Sequence, residues 1–280
     1  MSAWIEVAVS AASPAELAIA DALVSAHALR GTAIEGQPPV LRAWFSADER
    51  AGAERLRRAL SAALPDATVS VDDVADAAWA DAWREHFRPQ RVGDVLIVPP
   101  WERPQGAHEA RALVEIDPGQ AFGTGLHPTT RACLFHLQEL DLAGHSVTDV
   151  GTGSGILAIA AALLGAASVY ACDVDPVAVR AARENVERNG VSERVTVDFC
   201  RADLVEVEAA DVVVANLTAD LILELARALS GRLRPSGTLV LAGIVTSRER
   251  AVRDALSALA LEISARRTDG EWVSLRARVR

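Results

Sequence analysis

The sequence predicts an α/β protein: a mostly parallel, seven-stranded sheet covered by helices, preceded by a small α+β domain of the split βαβ kind. Three observations carry that expectation. Short apolar runs alternate with helix-period segments from residue 147 onward, and Asp211-Val212-Val213-Val214-Ala215 is apolar almost without a break, as a doubly covered strand should be. Val147-Thr148-Asp149-Val150 runs straight into Gly151-Thr152-Gly153-Ser154-Gly155 and then a helix from Ile156 to Leu164. The first 75 residues read strand, helix, strand, strand, helix, strand.

The N-terminal elements follow from local chemistry. Trp4-Ile5-Glu6-Val7-Ala8-Val9 alternates like a half-buried strand. Ser13-Pro14-Ala15-Glu16 supplies an N-cap, a proline at the first helical position and a capping-box glutamate for a helix running to about Leu29. Strands are expected at Thr32–Glu35, Val40–Phe45 and Thr68–Val71, with a helix from Ser46 to Leu64. This unit, residues 1–75, holds no catalytic constellation; His27 reads as a helix-surface or boundary residue, and the domain's expected role is substrate recognition.

Residues 76–90 form an aromatic, charged connector, predicted helical and stopped by Pro89. Trp79, Trp83 and Phe87 are spaced to share one face. That face either packs on the following domain or serves a connector whose angle changes when a partner docks. His86 is expected to be exposed and to carry no chemistry.

The catalytic domain is expected over residues 91–280. Strands at Val95–Val98 and Ala112–Ile116 bracket a loop, and Asp117 to Thr130 is a long glycine- and threonine-rich stretch of the sort usually kept for function. Thr129 and Thr130 are placed to cap a helix from Arg131 to Leu140 and to point hydroxyls and amides at a ligand carboxylate. A strand from Ala167 ends at Asp173; Asp175-Pro176 opens a helix that Asn189-Gly190 closes. Further strands are expected at Val195–Cys200, Asp211–Ala215 and Thr238–Val245, the last followed by a helix to Leu259. Leu261–Ala265 and Glu271–Val279 then close the sheet as an antiparallel pair around Asp269-Gly270.

Glycine spacing points to the ligand. A dinucleotide site wants its third glycine three residues after the second, where pyrophosphate rests on the helix N-terminus. Here Gly151, Gly153 and Gly155 alternate and Ile156 takes that third place. Bare positions at alternate residues let the turn lie flat against a ligand without phosphate, such as S-adenosyl-L-methionine. Asp173 is positioned to accept both ribose hydroxyls. Asp203, just past its strand, is a candidate for the adenine amino group or else a solvated turn residue. Asn216 ends the apolar strand, where open sheets bind ligands.

Composition narrows the class. A net charge of −10 argues against nucleic acid as the main partner and favours a basic one. No apolar run has the length of a membrane span, and the first residues lack a signal-peptide pattern, so a cytoplasmic location is expected. Cys133, Cys172 and Cys200 are scattered without metal-ligand spacing and read as buried thiols; no metal is expected. All 28 basic residues are arginine. Genomic bias, which the alanine richness supports, accounts for this; the pointed reading is a lysine-modifying enzyme that avoids itself.

Two stretches carry a resemblance. Asp117-Pro118-Gly119-Gln120-Ala121-Phe122-Gly123-Thr124-Gly125-Leu126-His127-Pro128-Thr129-Thr130 and Asp149-Val150-Gly151-Thr152-Gly153-Ser154-Gly155-Ile156-Leu157 closely resemble the ribosomal protein L eleven methyltransferase family (PrmA). Asp173-Val174-Asp175-Pro176, Ala215-Asn216-Leu217 and Trp83-Arg84-Glu85-His86-Phe87 extend the likeness over roughly residues 76–250. It implies a class I Rossmann-like methyltransferase sheet and an N-terminal domain that grips the ribosomal protein. It also implies a mobile connector and adenosylmethionine-dependent trimethylation of lysine side chains and an α-amino group. It further implies that Thr130, Gly151, Asp173 and Asn216 contact the donor; the glycine spacing adds Gly153 and Gly155, and the position just past a strand end adds Asp203. The sequence departs from the family after Asn216, where Thr218-Ala219-Asp220 replaces a more apolar, usually proline-containing run.

The expected chemistry is in-line attack by an uncharged amine on a sulfonium methyl, with the protein positioning and desolvating. Phe122 is the candidate dry wall, Asn216 orients the nitrogen, and His127 either takes the proton or holds the loop by a structural hydrogen bond. The alternative is a methyltransferase of the same build acting on another protein lysine or a small molecule. A monomer is expected.

Overall fold

A computed structural model describes residues 4–25, 32–35, 39–74, 88–117, 127–200 and 208–279. The chain divides into two compact units, Met1–Phe87 and Arg88–Arg280, and the division falls within the span expected to act as a connector. The aromatic face at Trp79, Trp83 and Phe87 lies outside the described residues, as do Phe122, Asp203, His27 and His86.

In the first unit, β1 (Trp4–Ser10), β2 (Thr32–Glu35), β3 (Val40–Ser46) and β4 (Thr68–Val74) form one antiparallel sheet in the order β2-β3-β1-β4. Helices α1 (Pro14–Ser25) and α2 (Arg50–Ala63) complete the expected split βαβ order. The α1 cap works nearly as read: Ser13 Oγ accepts the Glu16 amide at 3.2 Å, but the Glu16 carboxylate reaches back one residue further, to the Ala12 amide at 2.7 Å. Alternation along β1 sends Ile5, Val7 and Val9 into a core with Leu41, Phe45, Leu56 and Leu60. On the other face, Glu6 pairs with Arg42 and accepts Trp44 Nε1 at 3.1 Å.

The second unit opens with a small sheet not anticipated as a separate layer: β5 (Gln90–Val92), β6 (Val95–Val98) and β7 (Ala112–Glu115), in that order. The main sheet holds seven strands: β8 (Ser146–Val150), β9 (Ser168–Asp173), β10 (Val195–Phe199), β11 (Ala210–Asn216), β12 (Leu233–Val245), β13 (Leu261–Asp269) and β14 (Trp272–Val279). Their order is β10-β9-β8-β11-β12-β14-β13, parallel except for the β14 pairings. The order reverses between β8 and β11, so the crevice at their carboxyl ends is the natural ligand position.

Among the described residues, five helices accompany this sheet: α3 (Pro128–Gln138), α4 (Ile156–Leu163), α5 (Pro176–Arg188), α6 (Ala219–Gly231) and α7 (Glu249–Ala258). α4 is apolar all round because Ile156 through Ala162 are all buried. α6 and α7 bury Ile222, Leu225, Leu229, Val252 and Leu256 against β11, β12 and β14. No helix among the described residues is long and apolar enough to cross a membrane. Cys133 and Cys172 are buried as expected, whereas Cys200 is only half-buried because it lies just beyond the end of β10.

Candidate functional site

The crevice is built from the ends of four elements. β8 delivers the glycine turn, β9 ends on Asp173, β11 ends on Asn216, and α3 begins beside them. Gly151, Gly153 and Gly155 have φ of 74°, 55° and 84°, a left-handed region that other residues enter only with strain. This adds a second reason for the bare positions. A Cβ on Gly151 would meet Leu217 Cδ2 at 2.4 Å, and one on Gly155 would meet the Ala182 Cβ of α5 at 3.2 Å. Backbone conformation therefore calls for glycine at all three positions, and close packing against Ala182 adds to it at Gly155.

Asp173 is tied to that turn. One carboxylate oxygen accepts the Gly153 amide at 2.9 Å and the other accepts the Asp175 amide at 3.0 Å. Asp175 then caps α5 by accepting the Val177 amide at 2.8 Å, as its Asp-Pro start predicted. Each Asp173 oxygen keeps a second lone pair, so the group has acceptor capacity for hydroxyls.

Asp149 lies beneath the turn, fully buried. Its Oδ2 accepts the Thr152 hydroxyl at 2.7 Å and the Ala158 amide at 3.2 Å, while Oδ1 has no hydrogen-bond partner. Ala158 is the third residue of α4, whose N-cap is Gly155, so the strand acid supplies the side-chain cap that glycine lacks. Burial pushes the Asp149 carboxyl up to about 7; the Thr152 and Ala158 hydrogen bonds oppose this and the nearby Asp173 charge adds to it.

The start of α3 differs from expectation. The helix begins at Pro128, three residues before the predicted start, and its cap is His127 rather than a threonine. His127 Nδ1 accepts the Thr129 amide at 3.3 Å and lies 2.7 Å from the Thr129 hydroxyl. Thr129 and Thr130 are buried in the first turn, and the Asn216 amide donates to Thr130 Oγ1 at 3.3 Å. Thr130, Asn216 and His127 are thus brought to one place.

Two contributors were missed. Trp272, at the head of β14, packs edge-on against the His127 ring with centroids 4.9 Å apart. Its position beside a glycine turn marked a hairpin and nothing more. Asn185 on α5 is buried, donates to the Ser154 carbonyl at 3.0 Å and accepts the Asp117 amide at 3.0 Å. It thereby joins the glycine turn to the entrance of the long loop after β7. One turn on, Asn189 accepts the Glu115 amide at 2.8 Å, donates to its carbonyl at 2.6 Å, and secures β7. Two asparagines four apart in a helix were the available signal. Among the described residues, no group of three or more His, Cys, Asp or Glu side chains is placed to hold a metal ion.

The likeness to known proteins runs along nearly the whole chain. The model of the family described as "Ribosomal protein L11 methyltransferase (PrmA)" matches residues 3–280. A protein of that name from Symbiobacterium thermophilum is 48% identical over 206 residues, covering 73% of this chain and 66% of its own. One from Geobacter metallireducens is 39% identical over 255 residues, covering 86% and 82% respectively. The match thus spans about two thirds of the first relative and four fifths of the second. A crystal structure of a ribosomal protein L11 methylase from Lactobacillus delbrueckii subsp. bulgaricus superposes with a TM-score of 0.65 at 31% identity, covering 69% of this chain and all of that one.

Proposed function

The chain belongs to the ribosomal protein L11 methyltransferase family, and from that premise we propose that it methylates amine nitrogens of ribosomal protein L11, with S-adenosyl-L-methionine as donor. The observation that carries the donor assignment is the Asp173–Gly153 hydrogen bond at 2.9 Å. It sets one carboxylate against the glycine turn while Asp149 lies beneath it. The Asp173 carboxylate at that turn disfavours a pyrophosphate and suits a ligand of positive charge.

Adenosylmethionine supplies an electrophilic sulfonium methyl when bound, so the chain's own groups are left to bind, orient and exclude water. Asp173 accepts from the ribose hydroxyls, with the turn at Gly151, Gly153 and Gly155 shaped behind it and Asp203 assigned to the adenine. Thr130 and Asn216, already hydrogen-bonded to each other, face the methionine end and the acceptor nitrogen. A lysine amine has a pKa of about 10.4 in water, so the pocket has to favour its neutral form by desolvation. Phe122 and Trp272 are the apolar surfaces assigned to that task. His127 holds the helix start through Nδ1, and any proton it handles has to pass through Nε2. The N-terminal unit, residues 1–75, is assigned to gripping the protein substrate and residues 76–90 to linking it to the catalytic unit.

The test is transfer of label from methyl-labelled donor to purified L11, read by gel and by mass spectrometry of the modified peptides. Label on lysine and α-amine positions of L11 is expected. Label on another protein alone, or none despite donor binding, overturns the substrate assignment.

A further inference from the structure

Among the described residues of the crevice, Asp149 holds a buried carboxylate oxygen with no hydrogen-bond partner. It is fully buried, both of its accepted bonds fall on Oδ2, and Oδ1 has no hydrogen-bond partner. A buried carboxylate with half its acceptors unused is costly to keep charged and inexpensive to keep protonated. Yet its position at the start of α4, accepting the amide of the helix's third residue, favours negative charge. The two tendencies are nearly balanced, so a third charge brought to the turn decides the outcome.

Among the described residues, no cation bears on the Asp149 carboxyl to decide it beforehand. The strand neighbours opposite Asp149 are Ala171 on β9 and Val214 on β11. α4 presents only alanine, leucine and isoleucine. From α3 comes Cys133 and from β9 Cys172, both thiols pushed far up by burial and therefore neutral. Asp173, at the end of β9, is the charge that bears on Asp149, and it opposes ionisation.

We propose that Asp149 is a positioning residue that senses ligand charge: it ionises when a cationic ligand occupies the Gly151–Gly155 turn, so that binding of the sulfonium donor releases a proton and binding of the neutral thioether by-product does not. This rests on the adenosylmethionine assignment above and goes beyond it. The donor and its by-product differ in the methyl and in one positive charge, and a carboxylate that charges only for the donor discriminates between them without touching the methyl. Discrimination grows with pH. Below about 7 the proton must be expelled at a cost; above it the carboxylate is already ionised and attracts the donor outright.

The experiment is calorimetric titration of the full-length protein with adenosylmethionine and, separately, adenosylhomocysteine, in buffers of differing ionisation enthalpy across about pH 5.5 to 8.5. Wild-type protein is expected to gain about tenfold in donor affinity relative to by-product across that window, and to release roughly half a proton per donor bound near pH 7. Asp149→Asn keeps an acceptor for Thr152 and Ala158 and is expected to abolish both effects. The ligands' own ammonium groups titrate alike against both proteins and cancel in the comparison. Thr152→Val removes a hydrogen bond that favours the ionised form, so its midpoint is expected to move to higher pH; this variant carries the test if Asp149→Asn does not fold. Identical pH profiles for wild type and Asp149→Asn, or an unmoved midpoint in Thr152→Val, would overturn the proposal. Absence of donor binding at every pH would instead bring down the cofactor assignment beneath it.

Discussion

At the N-terminus of α3 the His127 ring accepts the Thr129 amide through Nδ1, which places the neutral ring's proton on Nε2. In that tautomer neither nitrogen is ready to take a proton from an acceptor amine without breaking the cap. We therefore expect His127→Asn, whose side-chain oxygen is a preferred cap, to keep turnover within about twofold of wild type at every pH. His127→Ala should instead lose about 1 kcal/mol of stability, read from urea unfolding. A folded, donor-binding His127→Asn protein without turnover would restore the base role. Thr130, Asp173 and Asn216 were legible because each stands at a helix start or strand end, positions that motif and period locate together. Trp272 was not, since its partner lies 145 residues away in sequence and only the closing of the sheet brings them together. Asp149 showed in the motif as one letter; its burial and its cap on α4 are tertiary facts.

Secondary-structure boundaries divide along the same line. The start and stop of α5 were readable because Asp175-Pro176 and Asn189-Gly190 are strong local signals, and Gly190 indeed has φ of 65°. The start of α3 was misplaced because histidine is not among the usual caps. β12 begins at Leu233, five residues before the expected Thr238, although Pro235 and Gly237 read as breakers. Pairing of Leu233 with Ala210, beyond a register shift in β11, carries the strand through them. Helix α5 does more than cover the sheet. Asn185 ties the glycine turn to Asp117, and replacing it by leucine removes the hydrogen bonds it makes to the Ser154 carbonyl and the Asp117 amide. Asn185→Leu is expected to cost about 1–3 kcal/mol in urea unfolding and to weaken donor binding, because the turn loses its brace. Unchanged stability together with unchanged donor affinity would show that α5 merely packs there.

Across the whole molecule, the seven-stranded, mostly parallel sheet followed from the alternation of strands and helices, while its strand order and the separate β5–β7 layer did not, since short strands carry no signal of which neighbour they join. Charge is the property that integrates the fold, and two buried groups set its pH dependence in opposite directions. His136 donates or accepts at Ser274 Oγ, 3.0 Å from its Nε2, and its pKa is lowered to about 4 by burial first and by Arg276 and Arg267 next, with Glu139 opposing. It is neutral when folded and charged when unfolded between about 4 and 6.5, so its contribution to stability is complete above 6.5 and lost as pH falls toward 4. Asp149, raised to about 7, is protonated when folded and ionised when unfolded over nearly the same range. Its contribution is complete below 3.8 and lost as pH rises through 7. Each changes stability by about 1.4 kcal/mol per pH unit, with opposite sign. Asp211, Glu139 and Glu249 have lowered pKa values and act mainly below about 4.5. Wild-type stability should therefore be nearly flat between about pH 4.5 and 6.5, the cancellation hiding both groups. Substituting His136→Gln, which keeps a hydrogen-bonding group for Ser274, removes one side of the balance. Urea midpoints of that variant should fall steadily as pH rises through the window, levelling above 7, whereas those of Asp149→Asn should rise. A flat His136→Gln profile would mean that Asp149 does not titrate near neutrality in the folded protein.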